Sequence, residues 1–471
     1  MRKTKIICTI GPASQNEETL TKLCQAGMNV ARLNFSHGDH EEQQNKINLI
    51  KKVRENLNLP IAIMLDTKGP EYRIKTFENG KITLQDGDTF TFTTEDIVGN
   101  QEHVAVTYSR LIQDLNVGDK ILVNNGLVIC QVEELKGNDA VCKVLAGGVL
   151  SDKKSMNFPN KVMQHDFLSE ADKKDLLFGI QNDVDFVAAS FVSTKQDVLD
   201  LRNFLNENGG SDIDIIAKIE NRAGVDNIEE ICEIADGIMI ARGDLGVEIP
   251  FMEVPSIQKY LINKCRMLGT RVITATEMLE SMIQNPRPTR AELSDVANAV
   301  YDGTSAIMLS GETANGKYPV EAVHHMAEIA KYTEDNINYE RRFKNAEFEI
   351  HNNLDAISHS VGTMAFDLDA KAIVVSSISG KTARMVSRFR CPVPILGITT
   401  DEKVWRKLNM SWGVTPLMCE EFNSTEVMLY HALHQAKEEL NLQKGDKVVL
   451  TGGQTNGKSG NTNMIKIETI Y

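Results

Sequence analysis

Eight short apolar runs recur along the chain of 471 residues, and amphipathic stretches separate most of them. A short apolar run predicts a buried strand, and strands that alternate with helices predict a parallel sheet. Eight such units predict a closed (β/α)8 TIM barrel. The predicted strands span residues 5–10, 28–35, 61–66, 184–191, 213–220, 237–244, 271–276 and 305–310.

The part of the chain between the third and fourth runs follows a different pattern. Residues 67–183 are too many for one crossover helix, and short strand-like pieces alternate there with turn signals such as Asn79-Gly80 and Asn125-Gly126. This pattern predicts a small β-barrel domain inserted into a loop of the larger barrel. The strand-like pieces span residues 81–84, 89–93, 127–132 and 140–145.

A charged stretch at residues 339–344 follows the last barrel helix and indicates a domain boundary. Beyond it strands and helices alternate again, which predicts a separate C-terminal α/β domain. We expect helices at 354–366, near 382 and at 424–440, and strands at 372–376, 395–399, 447–450 and 464–470. The predicted domains are a barrel at 1–69 and 168–343, an inserted domain at 70–167 and a C-terminal domain at 344–471.

The composition excludes some classes of protein. A net charge of −14 argues against a general nucleic-acid-binding protein, which would need a basic surface. No apolar stretch reaches the roughly 18 residues that a membrane span requires. The eight cysteines are scattered without a C-x-x-C pair, and most lie in apolar runs, which favours buried thiols in a reducing cytosol. We therefore expect a cytoplasmic protein without nucleic-acid or membrane partners.

Charged side chains lie at the predicted carboxyl ends of several barrel strands, where the active sites of such barrels are found. Lys218 and Glu220 are two residues apart in one strand, so they project to the same face. Glu220 and Asp244 come from neighbouring strands and offer two carboxylates that suit Mg²⁺ or Mn²⁺. The alternative is a structural ion pair of these carboxylates with Lys218 or Arg242.

Other polar groups at the same edge leave two interpretations open. Arg32, Arg73 and Lys218 either supply positive charge for an anionic substrate or form salt bridges around the rim. A set of hard oxygen groups on the second and third strands could bind a cation, although such residues more often cap helices or form turns. This set consists of Asn34, Ser36, Asp66 and Thr67.

Two motifs suggest phosphate binding. Residues 452–459 match the Walker A pattern, but a strand is predicted at 464–470 where a phosphate-binding loop would open a helix. The second motif lies between a strand and a helix and combines hydroxyls, free amides and a lysine, which suits an anion-binding nest. Ordinary helix capping is the alternative for this second motif, which consists of Ser377, Ser379, Gly380, Lys381 and Thr382.

At these residues the chain resembles the pyruvate kinase family over nearly its whole length. It is similar to the short bacterial form, which has no further C-terminal extension. The matching segments are MNVARLNFSHG at 28–38, LDTKGPE at 65–71, AKIEN at 217–221, ARGDLG at 241–246, NPRPTR at 285–290 and MLSGET at 308–313.

The resemblance implies transfer of phosphate from phosphoenolpyruvate to ADP, which gives pyruvate and ATP. It implies that Lys218 neutralises the phosphoryl group in flight and that Glu220 and Asp244 hold Mg²⁺. The amides around Gly243 and the hydroxyl of Thr276 would then anchor the substrate carboxylate, with Thr276 near the protonation route to the enolate.

The resemblance also assigns the remaining polar groups. Arg32 would contact the phosphate, and Arg73 and Lys154 of the inserted domain, together with Asn34, would bind the nucleotide under a closing lid. Glu71 is the residue type that accompanies K⁺ dependence in this family. The K⁺ ligands would be Asn34, Ser36, Asp66 and Thr67.

The resemblance extends to regulation and assembly. In this family the C-terminal domain binds a phosphorylated effector, which favours a sugar-phosphate site at residues 377–382, and homotetramers are the norm. The chain departs from the family pattern at Glu277, Tyr72, Ala223 and Asn124-Asn125, and none of these changes removes a predicted catalytic group. The alternatives are a Mg²⁺-dependent aldolase or lyase acting on an oxaloacetate-like substrate, and a non-enzymatic binder of phosphorylated metabolites.

Overall fold

The chain begins with three strands and two helices of a parallel barrel. The computed structural model describes residues 1–70, 72–159, 161, 167–453 and 462–471. The first helix begins after Asn16, whose side chain accepts a hydrogen bond from the Thr19 amide, and it ends at Gly27 with a positive φ of 120°. These elements are β1 (Lys5–Thr9), α1 (Glu17–Ala26), β2 (Val30–Asn34), α2 (His40–Leu57) and β3 (Ala62–Asp66).

The segment that follows is an all-β insertion. Its strands form a six-stranded sheet in the order β11-β7-β8-β9-β5-β6 and a two-stranded sheet of β10 and β4. Phe90 and Phe92 alternate inward from β5 into a separate apolar core. The elements are β4 (Lys81–Leu84), β5 (Thr89–Thr93), β6 (His103–Ala105), α3 (Leu111–Asp114), β7 (Lys120–Val123), β8 (Val128–Lys136), β9 (Asp139–Ala146), β10 (Gly148–Ser151) and β11 (Met156–Asn157).

The chain then completes the barrel. Capping boxes start three of the helices, at Ser169, Thr194 and Thr289. The elements are α4 (Glu170–Gln181), β12 (Phe186–Ala189), α5 (Lys195–Glu207), β13 (Asp214–Ile219), α6 (Arg222–Asp226), α7 (Ile228–Ile234), β14 (Gly237–Ala241), α8 (Arg242–Glu248), α9 (Val254–Leu268), β15 (Arg271–Ala275), α10 (Arg290–Asp302), β16 (Ala306–Leu309), α11 (Gly311–Ala314), α12 (Pro319–Asp335) and α13 (Tyr339–Lys344), with 3₁₀ turns at Phe251–Glu253 and Glu280–Ile283.

All eight predicted strands belong to one closed parallel barrel. Their order is β1-β16-β15-β14-β13-β12-β3-β2, and β1 pairs with both β16 and β2 to close the ring. The predicted fold class is therefore confirmed. Because every strand is parallel, all eight carboxyl ends meet at one rim.

The C-terminal part is a five-stranded sheet with helices. Its order is β19-β18-β17-β20-β21, in which only the β20–β21 pair is antiparallel. The elements are α14 (Asn353–Asp367), β17 (Ala372–Ser376), α15 (Lys381–Ser387), β18 (Ile395–Thr399), α16 (Glu402–Leu408), β19 (Val414–Met418), α17 (Thr425–Leu440), β20 (Lys447–Gly453) and β21 (Thr462–Thr469). The domain bounds given above stay predictions.

The C-terminal domain seals the amino-terminal end of the barrel. Met410, just after α16, is fully buried in the inner barrel core beside Val30, Ala62 and Ile216. The neighbouring Asn409 donates to the carbonyls of Asn29 and Pro60, which precede two barrel strands. The barrel interior is thus closed at this end by a side chain from another part of the chain.

Buried ion pairs join the same two parts. Asp185 accepts hydrogen bonds from Arg406 Nε at 2.7 Å and from the Ile63 amide at 2.8 Å. Asp214 pairs with Arg271 and, at 2.9 Å, with Lys407. Both oxygens of each carboxylate therefore have a partner.

Within the described part of the chain, no helix combines the length and apolar character needed to cross a membrane.

Candidate active site

A cavity of about 540 Å³ lies between the carboxyl rim of the barrel and the inserted sheets. It collects most of the predicted site residues, because five adjacent strand ends and the inserted domain face it. Its lining includes Arg32, Asn34, Ser36, Asp66, Lys218, Glu220 and Asp244 from the barrel, and Arg73 and Lys154 from the insertion.

Lys218 lies at the centre of this rim. Its Nζ donates to Ser190 Oγ at 2.7 Å and to Asp66 Oδ1 at 3.1 Å, and it lies 3.0 Å from Glu220 Oε1. Burial opposes its charge, but the carboxylates of Asp66 and Glu220 outweigh that cost and raise the pKa of Lys218 above its ordinary value. A permanent cation is therefore fixed at the bottom of the cavity, and the ion pair that the sequence left open is present.

Arg32 is the second fixed cation. Its Nε donates to Asp66 Oδ2 at 2.6 Å, and one terminal nitrogen donates to Thr9 Oγ1 at 2.9 Å. Asp66 is almost fully buried, and despite that burial Arg32 and Lys218 hold its pKa below the ordinary value. One carboxylate thus orients two cations toward the same cavity.

Glu220 is a fully buried carboxylate beside Lys218. Its Oε2 accepts a hydrogen bond from the Phe191 amide at 2.7 Å, whereas its buried Oε1 has, among the described residues, only the Lys218 ammonium at 3.0 Å as a partner. Burial raises the pKa of Glu220 to about 7. An acceptor oxygen of this kind suits a cation.

Asp244 supplies a second carboxylate to the same cavity from the first turn of α8. Among the described residues no group of three or more His, Cys, Asp or Glu side chains is arranged to hold a metal ion. Glu220 and Asp244 offer two carboxylates, the type of hard oxygen ligand that a divalent cation prefers.

Thr276 follows β15 in a strained conformation. It has a φ of 68°, which is unfavourable for a β-branched residue. Its Oγ1 accepts a hydrogen bond from the Gly243 amide at 2.9 Å, and Arg242 donates to its carbonyl. Arg242 is in turn paired with Asp295 at 2.8 Å. The turns that follow β14 and β15 are thereby held together.

The predicted hard oxygen groups divide into two sets. Asn34, Ser36 and Asp66 line the cavity, and the Asn34 side chain accepts from the Ser36 amide at 3.0 Å. Thr67 is buried, and its hydroxyl accepts from the Ser190 amide at 3.2 Å. Glu71 lies outside the described residues.

The inserted domain is hydrogen-bonded to α8 beside the same cavity. Asn157 donates to Glu248 of α8 at 2.8 Å, and burial raises the pKa of Glu248 to about 7. Asn124 and Asn125 form a turn in which both have positive φ, a conformation that Asn tolerates well. These asparagines line the cavity together with Arg73 and Lys154.

A second cavity of about 760 Å³ adjoins the first. It lies between the ends of β1 and β2 and the segments around α2 and α11. The two cavities share Arg32, Asn34 and His37. The rim therefore offers space on both sides of Arg32.

Comparison with known proteins identifies the family. The family description "Pyruvate kinase, barrel domain" matches residues 1–323, and "Pyruvate kinase, alpha/beta domain" matches residues 355–468. The chain belongs to the pyruvate kinase family. It is a phosphotransferase of glycolysis that transfers the phosphoryl group of phosphoenolpyruvate to ADP. The alternatives of an aldolase or lyase and of a non-enzymatic binder are thereby set aside.

Individual relatives cover the chain from end to end. The pyruvate kinase of Clostridium acetobutylicum is 49% identical and covers 100% of both chains. That of Geobacillus stearothermophilus is also 49% identical over the whole of this chain, which spans 80% of the relative. A crystal structure of a pyruvate kinase from Cryptosporidium parvum matches with a TM-score of 0.95, 39% identity, and coverage of 100% of this chain and 96% of that one.

The predicted effector residues of this pyruvate kinase follow β17. Gly380 has a φ of 73°, and a side chain there would meet Val404 and Leu408 of α16. Thr382 Oγ1 hydrogen-bonds Thr462 Oγ1 at 2.6 Å. Lys381 lines a groove between barrel and C-terminal domain. Ser377 and Ser379 lie in the loop between β17 and α15.

The Walker A match falls partly outside the described residues, since only Gly452 and Gly453 of it are described. The element that follows is the strand β21, as expected, and it pairs antiparallel with β20.

The departures from the pyruvate kinase pattern lie in different surroundings. Glu277 is exposed, has a φ of 53° and lines neither barrel cavity. It contributes, after burial and Glu312, to a raised pKa of Glu280. Tyr72 packs edge-on against Tyr108 in the insertion, and nothing in the structure explains Ala223.

Ser190 and Thr9 had no role assigned from the sequence, and Arg242, considered there as an ion-pair partner of Glu220 or Asp244, pairs with Asp295 instead. Ser190 binds Lys218, Thr9 binds Arg32, and Arg242 holds the Thr276 carbonyl. Ser190 and Arg242 stand at strand ends, so the strand-end position was the available signal. Their partners depend on which strands are neighbours in the closed barrel.

Proposed function

We propose that Lys218 stabilises the phosphoryl group while it passes from phosphoenolpyruvate to ADP. The supporting observation is a buried lysine, held charged by Asp66 and Glu220, in a cavity between the barrel and the insertion. Phosphoryl transfer depends mainly on positioning and on neutralising negative charge, so one fixed cation has a large effect.

Arg32 binds the transferred phosphate from the neighbouring strand. Asp66 holds Nε of Arg32 at 2.6 Å and Thr9 holds one terminal nitrogen at 2.9 Å, which leaves the other terminal nitrogen for an anion. Gly243 and Thr276 position the substrate carboxylate, and their mutual hydrogen bond already aligns them. The Thr276 hydroxyl lies on the proposed protonation route to the enolate, where its oxygen relays a proton.

Glu220 and Asp244 hold Mg²⁺ or Mn²⁺ in this proposal. The support is the buried Oε1 of Glu220, which already faces a cation, and the position of Asp244 on the same cavity. A divalent cation there would supply positive charge to the substrate carboxylate and phosphate.

Asn34, Ser36, Asp66 and Thr67 form the proposed K⁺ site. Three of them line the cavity, and all are hard oxygen ligands. We expect Glu71→Lys to make turnover independent of K⁺, since the lysine ammonium replaces the monovalent charge. Unchanged K⁺ activation in that variant would disprove the assignment.

ADP is proposed to lie across the two cavities. Arg73 and Lys154 of the insertion would bind its phosphates, and Asn34 lies where the cavities meet. The second cavity beside Arg32 has room for the nucleoside. Closure of the insertion would bring its two cations onto the phosphates and exclude water.

The C-terminal nest at Ser377, Ser379, Gly380, Lys381 and Thr382 is proposed to bind a phosphorylated sugar. Its contact with α16 through Gly380 connects it to the segment that seals the barrel. Activation by sugar phosphates should weaken in Ser379→Ala, and identical activation curves for wild type and variant would oppose the assignment.

We also propose a homotetramer in the cytoplasm, as in the family.

The decisive experiment compares Lys218→Ala with Lys259→Ala, a matched loss of a lysine on the barrel surface. ATP formation from phosphoenolpyruvate and ADP is measured with Mg²⁺ and K⁺. We expect Lys218→Ala to lose about 10³-fold or more in kcat and Lys259→Ala to retain wild-type turnover. Hydrogen exchange at the pyruvate methyl group separates loss of phosphoryl transfer from loss of protonation. Near-full turnover of Lys218→Ala would refute the mechanism.

A further inference from the structure

Two cysteines face each other across neighbouring barrel helices. Cys232 lies in α7 and Cys265 in α9, and their sulfur atoms are 3.8 Å apart. Among the eight cysteines, all of them in the described part of the chain, this is the pair that forms a sulfur–sulfur hydrogen bond. A disulfide requires a sulfur separation of about 2.05 Å, so closing the bond needs an approach of the two sulfur atoms by about 2 Å.

The two thiols have different access to solvent. Cys232 is half-buried and lines a groove of about 580 Å³ between the barrel and the C-terminal domain. Cys265 is fully buried, and burial raises the pKa of its thiol well above the ordinary value. A small oxidant can therefore reach Cys232 first, and the buried Cys265 is available as the second thiol.

We propose that Cys232 and Cys265 form an oxidation site that takes a hydroperoxide and closes to an intrachain disulfide. The Cys232 sulfur attacks the peroxide, the O–O bond breaks, and a sulfenic acid and one water (for hydrogen peroxide) form. The Cys265 sulfur then displaces the sulfenic oxygen as a second water, which carries away the Cys265 proton. The two thiols lose two electrons and the peroxide gains them.

The disulfide would connect two consecutive barrel units that carry the catalytic groups. α7 follows the strand of Lys218, and α9 follows the turn that contains Asp244. The ends of both helices contact the C-terminal domain, because Asp236 pairs with Arg384 at 3.3 Å and Gly269 packs against Met385. A link at this position joins the helices where they meet α15.

The test treats the full chain with a small excess of hydrogen peroxide and then blocks remaining thiols with N-ethylmaleimide. We expect one linked peptide pair containing Cys232 and Cys265, two fewer labelled thiols per chain, and full reversal by dithiothreitol. Cys419→Ser removes the other half-buried cysteine and serves as the matched control, which should form the same link.

Two variants keep the test independent of folding defects. Cys232→Ser and Cys265→Ala should both abolish the link, and in Cys265→Ala the sulfenic acid on Cys232 should persist and react with dimedone. The thermal midpoint of wild-type protein should rise by several degrees on oxidation, because the link restricts the unfolded chain, and should not rise in either variant. Oxidation of Cys232 to sulfinic acid without a link, or a link to a different cysteine, would overturn the proposal.

Discussion

The two ends of the barrel both contain buried charges, but they satisfy them differently. At the amino-terminal end Asp185 and Asp214 have partners for both carboxylate oxygens, drawn from the barrel and from the C-terminal domain. At the carboxyl rim, among the described residues, Glu220 Oε1 has only the Lys218 ammonium beside it, and Lys218 shares that one ammonium among three acceptors. In the first arrangement every carboxylate oxygen has its own donor, whereas in the second one ammonium serves three acceptors.

This difference separates structural from catalytic charge. A carboxylate with all its hydrogen bonds made has little reason to change partners, since removing one partner leaves an uncompensated buried charge. A carboxylate in a cavity, with one oxygen that shares its donor with other acceptors, can exchange partners at low cost. The same residue types, at opposite ends of the same strands, therefore serve different purposes.

The sharpest test replaces one carboxylate at each end with its isosteric amide. Glu220→Gln should lower kcat on the order of 10²–10³-fold and weaken Mn²⁺ binding measured by water proton relaxation, because it removes a metal ligand. Its thermal midpoint should stay constant or rise, since a poorly satisfied buried carboxylate is replaced by a neutral group.

Asp185→Asn should give the opposite result. It leaves Arg406 with less compensation, and we expect a loss of about 3 kcal/mol in the free energy of unfolding, seen as a lower midpoint in urea and heat. The turnover of the folded protein should stay within about twofold of wild type. The comparison fails if Glu220→Gln is the less stable variant or Asp185→Asn the less active one.

Met410→Ala tests the seal at the base of the barrel. Met410 is fully buried in the inner core, so its truncation leaves a cavity and should cost about 2–4 kcal/mol in the free energy of unfolding. Met410→Leu, which keeps most of the volume, is the matched control and should cost less than about 1.5 kcal/mol. Equal unfolding midpoints for the alanine variant and wild type would show that the stability of the amino-terminal end of the barrel does not depend on this side chain.

Lys5→Met tests a buried charge at the amino-terminal end of the barrel through its dependence on pH. Lys5 is buried at the base, donates to the Val414 carbonyl at 2.7 Å, and has a pKa lowered by burial to about 7. Between about pH 7 and 10 the unfolded chain therefore binds more protons than the folded one, and wild-type stability rises with pH because of this group.

Lys5→Met removes that slope. The variant should gain most over wild type at pH 6–7, where the buried ammonium is charged, and its advantage should shrink toward pH 10. Thermal midpoints of both proteins across this range provide the measurement. A difference that stays constant with pH would mean that Lys5 keeps an ordinary pKa in the folded protein.

Much of the architecture could be predicted because local patterns and tertiary structure agree. The eight buried runs became the eight barrel strands, and β17 and β18 have the predicted bounds. α16 and β19 were not predicted. α16 has only seven residues, and β19 contains Pro416, which is tolerated because β19 is the edge strand of its sheet.

The sequence alone determined which residues carry charge at the strand ends, since strand length and residue order are local properties. It therefore identified Lys218, Glu220 and Asp244 as the residues of interest. Only the tertiary structure decided their partners. Closure of the barrel places Ser190 and Asp66 beside Lys218, and Met410 comes from a part of the chain far from the barrel strands. These contacts depend on packing between distant segments, which no local pattern encodes.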